Sequence, residues 1–172
     1  MKKTFSVISL GCFRNTYDSE VLSHKLSSKG YVFSPHSPQG KRNIKKTDTL
    51  ILNTCGFIDK AKEESLDAIK EAINRKKKGL VKKIVVSGCL AQRYEDELKK
   101  SFPQVDKWQG VQNFSGKAQE RIKILPFHID FLKICEGCLN KCTFCAIPLI
   151  KGPLKSKSLK AVVQEVRKLD RA

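Results

Sequence analysis

The segment TLILNTCG, residues 49–56, decides the fold class of this 172-residue chain. Its central residues are apolar in succession, which is typical of a strand that is buried on both faces. Two other segments have the same form, FSVISLGC at 5–12 and KIVVSGC at 83–89. Each of the three ends at a cysteine with a glycine beside it. Together they predict three buried strands of one sheet.

Helical patterns lie between these predicted strands. The first helix is predicted to open with Asn15 or Thr16 as its N-cap and to end before Gly30. The second covers about 59–78, with acidic residues early and lysines late, as the helix dipole prefers, and Gly79 ends it. Strands and helices that alternate in this way predict an α/β fold with a doubly wound, mostly parallel sheet.

Three shorter elements complete this pattern, namely a strand at 31–35, a helix at about 92–101 and a last strand at 107–111. The polar segment 36–48 contains proline and glycine, which predicts a mobile loop between the second and third strands. Residues 1–122 are therefore predicted to form one domain.

A second structural unit is predicted to begin after a polar linker at 113–123. The apolar segment FLKIC at 131–135 predicts a new strand, and the spacing of apolar residues predicts a helix at about 158–169. The apolar stripe of that helix consists of Leu159, Val162, Val163, Val166 and Leu169. One strand and one helix can neither cover such a stripe nor close a sheet. Residues 123–172 are therefore predicted to be the start of a truncated second domain.

The composition favours an anionic partner. Lysine and arginine number 34 against 17 acidic residues, which gives a formal net charge of +17. Such a surplus favours contact with RNA or an RNA-rich particle, although solubility explains it equally well. No segment approaches the roughly 18 apolar residues of a membrane span. The N-terminal MKKTFSVISLGC is interpreted as a buried strand rather than a secretion signal, so we expect a cytoplasmic protein without membrane contact.

Three cysteines, Cys12, Cys55 and Cys89, end the three predicted strands. In a reducing compartment cysteines favour metal binding or catalysis over disulfides. The carboxyl ends of parallel strands lie along one edge of a sheet, where ligands bind. Zinc would require a fourth ligand, so an iron–sulfur cluster with one open iron is favoured. The alternative for each cysteine is a small buried apolar residue.

A second group of cysteines lies close together in the sequence, at Cys135, Cys138, Cys142 and Cys145. Zinc sites built from four cysteines separate their two pairs by many more residues, and two-cluster ferredoxins use a different order. Without Cys135, the spacing is CxxxCxxC, with Phe144 before the last thiol. Cys135 is predicted to be a strand residue rather than a ligand.

This CxxxCxxC spacing resembles the radical S-adenosylmethionine (SAM) enzymes, and the two cysteine groups together resemble the methylthiotransferases of that class. The resemblance is carried by SLGCFRNTYDSE (9–20), NTCGFIDKAKEES (53–65), GCLAQRYEDEL (88–98) and KICEGCLNKCTFCAIPLIKGP (133–153). These segments look like the branch that modifies a small-subunit ribosomal protein. The tRNA-modifying branch ranks second.

The resemblance implies an N-terminal methylthiotransferase domain followed by the first β/α unit of a partial radical-SAM barrel. It implies two 4Fe–4S clusters, each bound by three thiolates. Cys12, Cys55 and Cys89 would hold the sulfur-donating cluster. Cys138, Cys142 and Cys145 would hold the cluster that binds S-adenosyl-L-methionine, with Phe144 near the adenine.

The implied reaction methylthiolates the β-carbon of an aspartate, with no side chain of this chain acting as a catalyst itself. The implied partners are a small-subunit ribosomal protein or a ribosome assembly intermediate, an electron donor and, through the basic surface, RNA. Most of the barrel is missing, so this chain alone is not expected to turn over. A zinc-binding basic nucleic-acid module is the alternative of another class, and it leaves the three strand-end cysteines unexplained.

Overall fold

The computed structural model describes residues 2–35, 46–126 and 128–169. In this part of the chain one sheet is formed by β1 Thr4–Ser9, β2 Val32–Phe33, β3 Thr47–Thr54, β4 Val81–Gly88 and β5 Lys107–Gln109. The strands lie in the order β2-β1-β3-β4-β5, and every neighbouring pair is parallel. This order is the doubly wound arrangement of flavodoxin-like folds. The predicted α/β fold with a parallel sheet is confirmed.

Three helices connect these strands, α1 Phe13–Ser27, α2 Asp59–Lys77 and α3 Cys89–Ser101. Gly30 and Gly79 follow α1 and α2 with φ of +87° and +72°, the left-handed conformation that stops a helix. Both predicted stops are therefore confirmed. α2 also has the predicted charge distribution, with Asp59 in its first turn and basic residues in its last.

The predicted starts of α1 and α3 are wrong. α1 is capped by Cys12 rather than by Asn15 or Thr16, because the side chain of Asn15 is used in hydrogen bonds to neighbouring strand ends. α3 begins directly after β4, three residues before the predicted position 92, and has an irregular backbone at Tyr94. Both helices thus start at or within a few residues of the end of a strand.

Apolar side chains cover both faces of the sheet. On one face, Leu52 and Ile84 pack with Ile69 of α2 and with residues of α3. On the other face, Phe5 and Ile51 pack with residues of α1. Each fully buried side chain of this size contributes about 1.5–3 kcal/mol relative to an exposed one. The alternation of the two clusters along β3 explains why its sequence is apolar in succession.

The chain after β5 follows the prediction less closely. From Gly110 to Ile134 the described residues form neither helix nor strand, and the strand predicted at 131–135 is wrong. Only β6, Cys135–Glu136, forms there, and it pairs antiparallel with β7, Lys155–Ser156. The side chain of Lys133 enters a buried ion pair, which draws this segment towards α1 rather than into a sheet.

Two helices belong to this last part of the chain. α4, Ile147–Lys151, follows the cysteine-rich loop and was not predicted, while α5, Leu159–Leu169, matches the predicted helix. α5 packs through Ala161 and Glu165 and leaves much of its apolar stripe exposed. The domain boundary at 122/123 and the barrel unit stay predictions. Residues 36–45 of the predicted loop lie outside the described residues.

Candidate functional site

The sheet order creates a crevice at the carboxyl ends of β1 and β3. These two strands are neighbours although β2 follows β1 in the sequence, so the helices after β1 and β3 leave towards opposite faces. In doubly wound sheets such a reversal marks the ligand site. Cys12 directly precedes α1, Cys55 follows β3, and Cys89 is the first residue of α3. The three cysteines therefore lie along one edge of the sheet.

All three of these cysteines line one cavity of about 510 Å³. Cys55 and Cys89 are buried and Cys12 is exposed, so the cavity is open on one side. The remaining lining residues are mainly apolar or small, with two cations: Gly11, Arg14, Phe57, Ile58, Ala61, Ile147, Ile150 and Lys151. The structure thus brings together three thiols that are 34 or more positions apart in the sequence. We call this space the three-cysteine cavity.

Glycines allow the strand ends to approach each other here. Gly11 has φ +79°, and a Cβ at this position would lie 2.8 Å from Sγ of Cys55 and still closer to its Cβ. Gly88 has φ +96°, and a Cβ there would lie 2.9 Å from the backbone nitrogen of Thr54. Both glycines have the left-handed conformation and no space for a side chain. The glycines beside Cys12 and Cys89 are therefore required by the packing of the edge.

Buried amide groups fix the same edge. The Asn15 side-chain amide donates to the carbonyls of Leu10 and Thr54, each at 3.0 Å. The Asn53 amide donates to the carbonyl of Asn15 at 2.8 Å. The Ser65 hydroxyl accepts from the backbone N–H of Cys55 at 3.0 Å. Sequence reasoning missed these roles, since an asparagine near a helix start indicates a cap equally well.

The electrostatics of the three-cysteine cavity keep Cys89 protonated when no metal is bound. Burial raises the pKa of the Cys89 thiol to about 11, Cys55 and Cys12 add to this rise, and Lys151 opposes it. Burial also acts against the charged form of Lys151, but Asp18 and Cys89 outweigh that effect and raise its pKa. Metal binding at Cys89 would therefore have to displace a proton.

The second cysteine group lies in the loop between β6 and α4. Cys138 and Cys145 are half-buried and Cys142 is exposed. The backbone N–H of Cys138 donates to the carbonyl of Gly152 at 3.2 Å, and that of Cys145 donates to the carbonyl of Cys142 at 3.1 Å. Phe144 is 90% exposed. The loop therefore presents its thiols and one aromatic ring at the surface.

Cys135 lies in β6, outside this loop, with an exposed side chain. In the part of the chain that the structure describes, no group of three or more His, Cys, Asp or Glu side chains is arranged to hold one metal ion. A cluster makes a different demand, because each thiolate binds its own iron, so the sulfurs lie farther apart than around one zinc. Three thiols on one largely apolar cavity fit such a cluster.

A buried ion-pair network, which the sequence did not reveal, connects the two cysteine groups. Lys133 contacts Asp18 at 2.6 Å and also pairs with Glu136. Lys151 contacts Asp18 at 3.4 Å and Glu136 at 3.5 Å. All four side chains are nearly buried. In the sequence these residues look like ordinary solvated charges, separated by up to 133 positions.

A second set of buried polar contacts joins α1 to α5. Lys157 contacts both carboxylate oxygens of Glu165 at 2.6 Å, and the Tyr17 hydroxyl donates to Glu165 at 3.0 Å. Burial, together with the charge of Glu165, raises the pKa of Tyr17 well above its usual value. Nearby, Arg121 pairs with Glu20 at 2.9 Å. These contacts attach the last part of the described chain to α1.

Among residues 2–35, 46–126 and 128–169, no helix has the length and apolar character needed to span a bilayer.

Comparison with known proteins agrees with these features. The model of the uncharacterized protein family UPF0004 matches residues 4–110. The ribosomal protein uS12 methylthiotransferase RimO of Bacteroides thetaiotaomicron is 41% identical over 182 residues, with 98% of this chain and 40% of its own length covered. The RimO proteins of Bdellovibrio bacteriovorus and a Sulfurihydrogenibium species are 37% and 42% identical, with 97% and 94% of this chain and 41% and 38% of their own lengths covered.

This chain thus spans about two fifths of the length of the curated relatives it matches. The family match contains all five strands of the sheet and all three cysteines of the three-cysteine cavity. The pairwise similarity extends over nearly the whole chain. The resemblance to the methylthiotransferases of the ribosomal-protein branch is therefore confirmed, and the chain belongs to the UPF0004 family.

Proposed function

We propose that this chain is the N-terminal portion of an iron–sulfur radical-SAM methylthiotransferase that modifies the β-carbon of an aspartate in the ribosomal protein uS12. The relatives it matches are named as uS12 methylthiotransferases. The observation that carries the proposal is the convergence of Cys12, Cys55 and Cys89, from three strand ends, on one cavity of about 510 Å³.

In this proposal the three-cysteine cavity holds a 4Fe–4S cluster through three thiolates and leaves one iron open. The side chains of Phe57 and Ile58 give the cavity an apolar lining. An apolar environment strengthens electrostatic interactions inside the site. The hydrogen bonds of Asn15 hold the ends of β1 and β3 in place, and Ser65 holds the backbone of Cys55. The Asn15 amide oxygen also accepts a weak hydrogen bond from the Cys89 thiol at 3.9 Å.

Cys138, Cys142 and Cys145 hold the second cluster and S-adenosyl-L-methionine in this proposal. Phe144 offers an exposed ring two residues after Cys142, available for stacking on the adenine. The two clusters and the cofactor supply the radical and sulfur chemistry that side chains lack. Residues 1–122 form the first domain, and residues 123–172 begin the radical-SAM domain.

The proposed partners follow from the named relatives and the charge. A small-subunit ribosomal protein, or a ribosome assembly intermediate, is the substrate, and an electron donor supplies the reducing equivalents. The net charge of +17 supports contact with ribosomal RNA during this encounter. Such a partner places the protein in the cytoplasm. The tRNA-modifying branch of the family is the competing substrate class.

Metal analysis after anaerobic reconstitution with iron and sulfide tests this proposal. We expect about eight irons per chain with matching sulfide, for two 4Fe–4S clusters. Cys55→Ala and Cys142→Ala are each expected to lose about four of them, while the matched control Cys135→Ala keeps all. One or two zinc ions instead of iron would support the nucleic-acid module, and loss of iron in Cys135→Ala would contradict the ligand assignment.

The substrate class needs a second measurement. Binding of purified uS12 and of a bulk tRNA preparation to the reconstituted protein is compared at the same salt concentration, because electrostatic binding to RNA depends on salt. Preferential binding of uS12 supports the ribosomal-protein branch. Preferential, salt-resistant binding of tRNA would contradict it.

A further inference from the structure

Lys151 stands out among the residues around the three-cysteine cavity. It is the last residue of α4, and it lines the cavity together with the three thiols. Its side chain is only 6% exposed, whereas Arg14, the other cation of the lining, is exposed. A buried ammonium group requires compensating charge, because removing it from water is costly.

The compensating charge comes from outside the cavity. Asp18 and Glu136 contact the Lys151 ammonium at 3.4 and 3.5 Å, and the same two carboxylates pair with Lys133. Two cations thus face two anions. Glu136 pairs with both lysines, and Asp18 accepts a hydrogen bond from the Lys151 ammonium at 3.4 Å.

Two long contacts hold the Lys151 ammonium at the wall of the cavity. A lysine ammonium has three N–H donors, and Asp18 and Glu136 engage at most two of them, at 3.4 and 3.5 Å. Lys151 also interacts electrostatically with Cys89 across the cavity wall. The carboxylates therefore hold the cation in position, while its remaining donors are available to an anionic occupant.

We propose that Lys151 makes the three-cysteine cavity an anion-binding site. Its occupants are small anions and, resting on the proposed function, a cluster whose three thiolates give it a net negative charge. Glu136 lies two residues before Cys138. The same carboxylate therefore connects the cation of this cavity to the second cysteine loop.

Competing alkylation of the cysteines measures the electrostatic potential in the three-cysteine cavity of the metal-free protein. Iodoacetate is an anion and iodoacetamide is neutral, and both alkylate the same thiolate with loss of iodide. The ratio of their rates at one cysteine therefore cancels the thiolate fraction and reports the local charge. Peptide mass spectrometry of the metal-free 172-residue protein gives this ratio separately for Cys12, Cys89 and the exposed Cys142.

In the unsubstituted protein, we expect the iodoacetate-to-iodoacetamide ratio to be higher at Cys89 than at Cys142. Lys151→Met is expected to lower the ratio at Cys89 by about tenfold, on the order of the effect of one partly screened unit charge lining the same cavity. Lys151→Arg keeps the charge and is expected to keep most of the ratio. The matched control is Lys133→Met, which removes a cation from the same carboxylates but not from the cavity wall.

Three results would overturn the proposal: equal ratios at Cys89 and Cys142 in the unsubstituted protein, an unchanged ratio at Cys89 in Lys151→Met, or an equal fall in Lys133→Met. The first comparison needs no variant, so it decides the matter even when Lys151→Met does not fold. Failure of iron loading would refute the proposed function and leave the alkylation ratios intact. The two proposals therefore fail separately.

Discussion

Substitution of Gly11 by alanine tests the packing that brings the cysteines together. Gly11 has φ +79°, and an added Cβ would lie 2.8 Å from Sγ of Cys55. A left-handed backbone costs an alanine roughly 1–2 kcal/mol, and overpacking of a tight site costs about 1–3 kcal/mol more. We expect the free energy of unfolding to fall by about 3 kcal/mol.

The matched control is Gly30→Ala. Gly30 has a similar φ of +87°, but an added Cβ there would meet no atom within 4 Å. This variant therefore carries the backbone strain alone, with an expected loss of about 1 kcal/mol. The difference of about 2 kcal/mol between the two variants isolates the contact with Cys55.

Urea unfolding followed by circular dichroism measures both losses in the metal-free protein. With a slope of about 2 kcal/mol per molar urea, the midpoint of Gly11→Ala should lie about 1 M below that of Gly30→Ala. Iron bound after reconstitution should also fall by about half in Gly11→Ala only. Equal midpoints would show that Gly11 does not pack against Cys55, and would remove the packing reason for a glycine at position 11.

Three further outcomes are expected. Lys157→Met leaves the buried carboxylate of Glu165 without its cation, so urea unfolding should show a loss of about 3–5 kcal/mol. Burial acts to raise the pKa of Asp106, but Lys76 and a backbone N–H outweigh it and lower that pKa. The ionised Asp106 therefore stabilises the fold at neutral pH, and this stabilisation is lost as the pH falls below about 4. In Asp106→Asn, the free energy of unfolding should depend less on pH in this acid range. Phe144→Ala should leave the urea midpoint unchanged, because the ring is exposed, while weakening S-adenosylmethionine binding in calorimetry of the reconstituted protein.

The sheet and the edge that carries Cys12, Cys55 and Cys89 could be predicted because both depend on local patterns. Apolar succession marks a buried strand, and parallel strands place their carboxyl ends together whatever the side chains are. Cys55 and Cys89 directly follow strands that the pattern had already located, and Cys12 lies three residues after the end of β1. Their arrangement around one cavity follows from the topology.

The segment after β5 could not be predicted in the same way, because its structure depends on charges distant in sequence. Lys133 belongs to an apolar segment that reads as a strand, yet its ammonium pairs with Asp18, 115 positions earlier. A buried lysine and an exposed one look identical in a sequence. Asn15 illustrates the same difficulty at short range, since its amide holds two strand ends instead of capping a helix.

Buried ion pairs therefore help to attach the last part of the chain, whereas apolar side chains hold the sheet and its helices together. Ile134 is 54% exposed while its neighbour Lys133 is buried, so the attachment to α1 relies on ion pairs together with the stacked rings of Phe13 and Phe131. Such pairs stabilise less than apolar packing, because desolvation offsets their attraction, but a broken pair is costly. Buried ion pairs form only when the two charged groups have one relative position. α1 begins beside Cys12 and carries Asp18, so it sets the position of the Cys138 loop relative to the three-cysteine cavity.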